Sequence, residues 1–383
     1  MSIMESKKMS LGKAIEYIEF ELLAQAEGRV KQIPTIAGRP GIGKTESLRA
    51  LAEKLGYSLI VVQLSAVAPE EFSGIPEFVD ATIVEDAESW SINGIKGAKF
   101  TRWSIPELVT IANTTAKTAK NGVIVLFDDI HACDPALERY LFNLFLDKTV
   151  GQYKLSDNVL CCAAMNDSDE AGFVGFNSAV LDRLAIYSVE FDFDYWYGII
   201  GYKLNPIISS FLKSYKEMCF LEESTDTVTP SPRSWTELSN LIDFISEKKI
   251  DFHKSLRNIA AARVGDKAAS ELNKHNIIFQ KFNFEDIVKN KWSTYEVPED
   301  IIEQALCGEI VRYIKTEKDA EHVYDILLRN VKKSSFASAF LVELSYIYRS
   351  QKNYKHIAKL GELVTTSEDE FINNTFIDAF SNS

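Results

Sequence analysis

From Leu11 to Ala26 the apolar positions Leu11, Ala14, Ile15, Ile18, Leu22 and Leu23 recur at helical spacing, and Gly28 stands just past the last turn as a stop. The pattern then alternates between two periods. An apolar run at Ile33–Ala37 is followed by a helical stretch over Thr45–Leu55 closed by Gly56, and then by a strand over Leu59–Leu64. Further helices are predicted over Pro106 to about Lys120 and over Pro135–Leu146. Strands are predicted at Val123–Phe127, Val159–Ala164 and Ile186–Phe191. Strands separated by helices imply a parallel sheet with crossover helices. Unbroken apolar runs such as VIVLF and VLCCAAM fit strands covered on both faces.

After about Trp196 the strand signal fades and helical periodicity takes over, punctuated by Pro206, Pro230 and Pro232. The pattern changes again over Phe282–Pro298, and helical spacing returns at Glu299–Lys315, Asp319–Val331, Ser338–Ser350 and Tyr354–Val364. The last residues, Thr375–Ser383, read as a weakly ordered end. Composition narrows the class. The 383 residues are 46% hydrophobic and 25% charged, an ordinary globular balance with room for two or three domains. Five scattered cysteines, Cys133, Cys161, Cys162, Cys219 and Cys307, lie mainly in apolar runs, which predicts buried thiols in a reduced compartment and no zinc site. A net charge of −13 argues against a broad grip on nucleic acid or an anionic membrane. With no apolar run of about 18 residues and no signal-like N-terminal core, the expected location is the cytoplasm.

The segment Gly38–Thr45, GRPGIGKT, follows an apolar strand, opens a helix and matches G-x-x-x-x-G-K-[ST]. Gly38, Gly41 and Gly43 let the backbone curl so that successive N–H groups point at phosphate oxygens. Lys44 places an ammonium on the terminal phosphates, and Thr45 supplies a hydroxyl ligand to Mg²⁺. The candidate ATP-binding residues are therefore Gly38, Arg39, Pro40, Gly41, Ile42, Gly43, Lys44, Thr45 and Glu46. A second element is the apolar strand Val123–Phe127 running into Asp128 and Asp129, the arrangement a P-loop fold uses to hold Mg²⁺ and polarise water. Asp128 is assigned to the Mg²⁺ shell together with Thr45, and Asp129 to the attacking water.

These motifs resemble the AAA+ ATPase superfamily, in particular its MoxR-like, dynein-related branch, over about Ile33 to Phe282. QLSAVAPEEFSGIPE (Gln63–Glu77) resembles the branch's segment after the second strand, and LFNLFLDKTVGQYKLSDNVLCCAAMND (Leu141–Asp167) its helix, β-hairpin and sensor-bearing strand. The resemblance makes Asn166 the first sensor. In AVLDRLAIYSVEF (Ala179–Phe191) it makes Arg183 an arginine finger inserted into a neighbouring subunit, and in SPRSWTEL (Ser231–Leu238) it makes Arg233 the second sensor. AAARVGDKAASEL (Ala260–Leu272) resembles the terminal helical segment of the lid. The implied fold is α/β, a P-loop NTPase parallel sheet (AAA+ core) in residues 1–195, followed by an all-α lid in 196–285 and a C-terminal helical region of unassigned role in 286–383.

The implied function is Mg²⁺-dependent ATP hydrolysis by a homo-oligomeric ring, a hexamer, that remodels or activates a protein client such as one with a von Willebrand factor A-type domain. Two rivals stand beside it. One is a nucleic-acid-directed motor subunit, with local basic patches at Lys248–Lys254 and Lys332–Lys333. The other is a slow ATP-gated binding module, because the branch normally carries Glu where this chain has Asp129, one methylene shorter. His131 reads as a polar substitute near the site, and Cys161 and Cys162 read as core residues on opposite faces of a strand. Phe191, Phe193, Tyr195 and Trp196 read as a packed hinge. The region Asp80–Ser104, with Trp90, Phe100 and Trp103, is expected to form a loop or hairpin toward a pore; with the hairpin around Thr149–Leu155 it would engage a client.

Overall fold

The computed structural model describes residues 8–80, 99–166, 178–221, 228–280, 309–314 and 319, with the backbone alone at 79, 80, 99 and 100. The chain divides into two compact units between Asp192 and Phe193. In the first unit a short strand β1 (Met9–Ser10) leads into α1 (Leu11–Ala26), which buries Leu11, Ala14, Ile15, Ile18 and Leu22 of the expected stripe but exposes Leu23 and buries Gln25 instead, and then β2 (Ile33–Ala37). Next come α2 (Lys44–Leu55), β3 (Ser58–Gln63) and the short helix α3 (Pro69–Ser73). An antiparallel pair follows, β4 (Pro76–Asp80) with β5 (Lys99–Trp103). It forms the stems of the expected hairpin, while Trp90 and the rest of 81–98 lie outside the described residues. The unit continues through α4 (Glu107–Thr118), β6 (Val123–Asp128), α5 (Glu138–Asp147) and the hairpin of β7 (Thr149–Val150) and β8 (Tyr153–Lys154). It closes with β9 (Val159–Met165), α6 (Ser178–Leu181) and β10 (Leu184–Glu190).

Six strands form one sheet in the order β1-β10-β2-β9-β6-β3, and every neighbouring pair is parallel. Parallel pairing requires crossovers, and the helices that make them cover the faces, so the central strands β9 and β6 are apolar up to Asp128. All seven residues of β9 and the first five of β6 are buried. The edge strand β3 pairs only with β6 and is correspondingly half-exposed. Phe127 of β6 meets Phe145 of α5 edge-on at 5.6 Å, with Leu137, Leu141 and Leu144 packed in the same core. Cys161 and Cys162 are buried in β9; burial pushes the Cys161 thiol up to about 12 and Cys162 higher still. Both are core residues, as expected.

Because the strands run parallel, the carboxyl ends of β2, β3, β6 and β9 all emerge at one edge, carrying Gly38, Gln63, Asp128 with Asp129, and Asn166 respectively. The opposite end of β9 is secured by a side chain. Pairing between β2 and β9 is registered from Thr35↔Ala163 onward, and upstream of it Gln25 of α1 supplies the missing partner. Its amide accepts from the Cys161 N–H at 2.9 Å and donates to the Cys161 carbonyl at 3.0 Å.

The second unit contains α7 (Phe193–Ile199), α8 (Pro206–Ser214), α9 (Pro232–Glu247) and α10 (Leu256–Phe279). Gly265 breaks α10 at φ +79° and ψ +162°, a conformation only glycine adopts freely. Phe193 and Tyr197 stack at 5.5 Å and Trp196 is buried, so Phe193, Tyr195 and Trp196 belong to α7, while Phe191 precedes it. Trp235 fills the core against Phe211 at 5.4 Å and donates its indole N–H to the Met218 carbonyl. From the 286–383 region the described residues add one short turn, in which Glu309 is fully buried and accepts from the Ser209 hydroxyl at 2.7 Å. The remaining helical stretches expected there, and Cys307, lie outside the described residues.

Replacing Gln25 by Ala strands a buried N–H and a buried carbonyl on the central strand. Gln25→Ala is expected to destabilise the first unit by about 1–3 kcal/mol, read as a lower midpoint in urea denaturation with an unchanged slope.

Candidate functional site

The loop between β2 and α2 is shaped by two constraints. At Gly38 a Cβ would lie 2.7 Å from Val189 Cγ2 and 3.0 Å from the Val189 carbonyl oxygen, so β10 leaves no room for a side chain. At Gly41 and Gly43 the backbone is left-handed, with φ of +80° and +99°. Ile42 between them is buried and pins the loop to the core. Gly43 is the N-cap of α2 and has no side chain with which to cap it. The first N–H groups of the helix therefore face the loop, together with the positive end of the helix dipole.

Lys44 is only 8% exposed, and its ammonium donates to the Gly38 carbonyl at 2.6 Å, the Arg39 carbonyl at 2.9 Å and Asn166 Oδ1 at 3.0 Å. The last bond joins the loop to the carboxyl end of β9. Thr45 donates its hydroxyl to Asp128 Oδ2 at 2.7 Å, joining α2 to the end of β6. Asp128 uses its other oxygen to accept from the Asp129 backbone N–H at 3.0 Å. Of the remaining loop residues, Pro40 and Glu46 are exposed, and Glu46 makes a surface pair with Arg49 at 3.4 Å, of a kind worth under about 1 kcal/mol.

Asp129 adopts the left-handed conformation at φ +51° and ψ +36°, which Asp tolerates better than most residues. Its Oδ2 accepts from the side chain of Gln63 at the end of β3. Gln63 is registered directly opposite Asp128 in the ladder. The sequence pattern alone assigns Gln63 no role. The available signal was a polar residue ending an apolar strand at the carboxyl edge of a parallel sheet.

His131 is 3% exposed, and its Nδ1 accepts from the Asn166 backbone N–H at 3.2 Å. Burial holds its pKa below the ordinary 6.5; Asp129 opposes that effect, Lys44 reinforces it, and Asp128 opposes it more weakly. The ring is accordingly neutral at pH 7, with its proton on Nε2.

Lys44, Thr45, Asp128, Asp129 and Asn166 are thus brought together by direct hydrogen bonds or through Gln63 and His131. Arg183 is engaged elsewhere. Its guanidinium lies 3.8 Å from the centre of the Phe142 ring and donates from Nη1 to the Ala179 carbonyl, while Nε is buried without a hydrogen-bond partner. Beside it is a cleft of about 630 Å³ lined by Pro135, Glu138, Arg139, Phe142, Asn143 and Ala179. Arg233 belongs to the second unit, exposed in the first turn of α9, whose N-cap Ser231 accepts from the Ser234 N–H.

Residues 35–185 match the model of the ATPase family associated with various cellular activities (AAA). These residues form an AAA domain. Among solved structures, the RuvB Holliday junction branch migration motor of Thermotoga maritima aligns at 16% identity, over 75% of this chain and 77% of that one, with a TM-score of 0.33. A single-substitution variant of the same protein aligns at 14% identity over 76% and 78%, with a TM-score of 0.37. At such identities and scores the likeness bears on neither activity nor partners. No curated protein matches the sequence. No helix among the described residues is long and apolar enough to cross a membrane.

The AAA domain's donors suit a phosphate chain and a hard cation. The uncapped helix start and the Lys44 ammonium fit phosphate oxygens. The Thr45 hydroxyl and Asp128 carboxylate, already adjacent, fit Mg²⁺, which takes one or two protein oxygens and completes its shell with phosphate and water. Among the described residues there is no group of three or more His, Cys, Asp or Glu that would form an all-protein cage.

An L-residue at the φ of Gly43 costs about 1–2 kcal/mol. Gly43→Ala is expected to destabilise the first unit by about that amount, read as a lower midpoint in urea denaturation.

Proposed function

We propose that this chain hydrolyses ATP with Mg²⁺ as a MoxR-like AAA+ subunit of a homo-oligomeric ring, a hexamer, and uses the turnover to remodel or activate a protein client. The observation that carries the reading is Lys44, whose buried ammonium is held among three oxygens at the start of an uncapped helix, next to the Thr45–Asp128 pair. Those oxygens are the partners that phosphate oxygens would replace. The net charge of −13 favours a protein client over a nucleic-acid track. A client with a von Willebrand factor A-type domain follows from the MoxR-like resemblance alone.

In the reaction, water attacks the γ-phosphorus while the bond to the β-phosphate oxygen breaks, giving ADP and phosphate. Asp129 orients the water and takes up its proton, Asn166 directs its amide to the water or the γ-phosphate, and Lys44 neutralises charge on the phosphates. Thr45 and, through water, Asp128 would hold Mg²⁺, which would supply further charge neutralisation on the phosphates. Arg183 acts on the nucleotide of a neighbouring subunit and Arg233 on that of its own. Arg183 is suited to this because stacking on Phe142 fixes the plane of its guanidinium.

Two substitutions test the reading together. Lys44→Ala is expected to abolish ATP binding and turnover. Arg183→Ala should keep ATP binding but lose about 10³-fold or more in kcat, and with it the rise of specific activity with protein concentration. Unchanged concentration-dependent turnover in Arg183→Ala would rule out a shared site.

A second reading, a slow ATP-gated binding module, is favoured by one observation. Asp129 is short, and its Oδ2 is already occupied by Gln63. On this reading Asp129→Glu raises kcat markedly, by about tenfold or more given the usual worth of a well-placed base. Wild-type turnover at the ordinary enzymatic rate of about 10 s⁻¹ would remove it.

A further inference from the structure

The last registered pair between β2 and β9 is Ala37↔Met165, so at Asn166 the chain leaves the sheet and its N–H needs an acceptor from elsewhere. It finds His131 Nδ1 at 3.2 Å. His131 lies on the short 3₁₀ turn Ile130–Ala132, which starts directly after Asp129 and is closed by a bond from the Ala132 N–H to the Asp129 carbonyl at 2.9 Å. The other end of Asn166, Oδ1, accepts from the Lys44 ammonium at 3.0 Å. One short path therefore runs from Asp129 through its turn to the His131 ring, to the Asn166 backbone and to Lys44.

We propose that His131 is a positioning residue that fastens the turn bearing Asp129 to Asn166, so that the water-orienting carboxylate and the sensor amide are placed as one unit. An imidazole nitrogen that accepts a hydrogen bond carries no proton there, so the bond requires the Nε2–H tautomer. Burial and the nearby Lys44 ammonium favour that neutral ring. The ring is 3% exposed and has no room to turn its acceptor elsewhere without displacing its neighbours. A displacement of the Asp129 turn, such as release from Gln63, moves the acceptor on which the Asn166 amide rests. The kinetic consequence rests on the ATPase reading above; the link itself rests on the geometry.

The test uses the full chain with three substitutions and two readouts. In His131→Asn the side-chain Oδ1 falls close to the place of Nδ1 and keeps the acceptor. In His131→Gln the amide reaches the place of Nε2 instead, and His131→Leu has no acceptor. Hydrogen exchange at the Asn166 amide is expected to be slow in the wild type and in His131→Asn, and at least about tenfold faster in His131→Leu and His131→Gln, as loss of a local protecting bond implies. ATP turnover should split the same way. Kcat should fall by about 10- to 100-fold in the Leu and Gln variants, ATP affinity should change by less than about threefold as for a group acting only in the transition state, and the Asn variant should be restored.

A merely structural role predicts the opposite order, since Gln is nearer His in volume than Asn is. Unchanged Asn166 exchange in folded His131→Leu overturns the proposal, as does equal turnover in the Asn and Gln variants. If His131→Leu fails to fold, the comparison of Gln with Asn decides alone. If the wild type does not turn over ATP, the ATPase reading fails while the exchange comparison still decides the link.

Discussion

A cation buried at the edge of a sheet governs the arrangement of this domain. Removing an ammonium from water is expensive unless oxygens replace the solvent, and Lys44 is only 8% exposed. Among the described residues its oxygens come from two places: the loop itself, through the Gly38 and Arg39 carbonyls, and the end of β9, through Asn166. For those carbonyls to turn inward the loop must curl, which needs left-handed backbone at Gly41 and Gly43. For the curl to pass β10 there must be no Cβ at Gly38. The glycines are thus a consequence of where the charge sits, and the sheet order, with β2 between β9 and β10, is what makes the surroundings available.

The parallel sheet does the rest by collecting strand ends. Once β2, β9, β6 and β3 lie side by side in one direction, their carboxyl ends form a row whose side chains pair with neighbouring elements. Asn166 meets Lys44, Asp128 meets Thr45, Gln63 meets Asp129, and the backbone of Asn166 meets His131. Each bond joins two different elements. The row is therefore a set of cross-links as well as a collection of reactive groups, and any group that leaves it to meet a substrate must break a bond within the protein. Binding and rearrangement are coupled in that sense before any nucleotide arrives.

Much of this was legible in the sequence where one local pattern sufficed. The helix Leu11–Ala26 and the strand Ile33–Ala37 have the bounds their spacing predicts, because a full apolar stripe or a fully buried run leaves little ambiguity. The third strand is displaced by one residue, Ser58–Gln63 against Leu59–Leu64. As an edge strand it is half-exposed, and its pattern blurs where Leu64 continues the apolar run into the core. Met9–Ser10 was not seen as a strand, since two residues carry no period and pair only because β10 is beside them. Lys44, Thr45 and Asp128 stand out in a motif whose pattern is local, and the structure joins them to partners in the same row. Gln63 and His131 do not stand out, because their meaning lies in partners 66 and 35 positions away. Phe142 was missed likewise: an aromatic residue on an apolar helix gives no sign that an arginine will stack on it.

The acid at position 129 shows how such tertiary partners fix a side chain in place. A hydrogen bond to a charged group contributes about 1.5–3 kcal/mol. The bond from Gln63 thus ties the Asp129 carboxylate to the end of β3. A longer acid could reach past that contact, but Asp must either give it up or work through its remaining oxygen. The left-handed turn limits the choice further, because the carboxylate is short and its backbone is fixed on one side by Asp128 and on the other by the turn that carries His131. A short acid at this position has little reach of its own, so the place of its carboxylate depends on Gln63 and on the turn that carries His131.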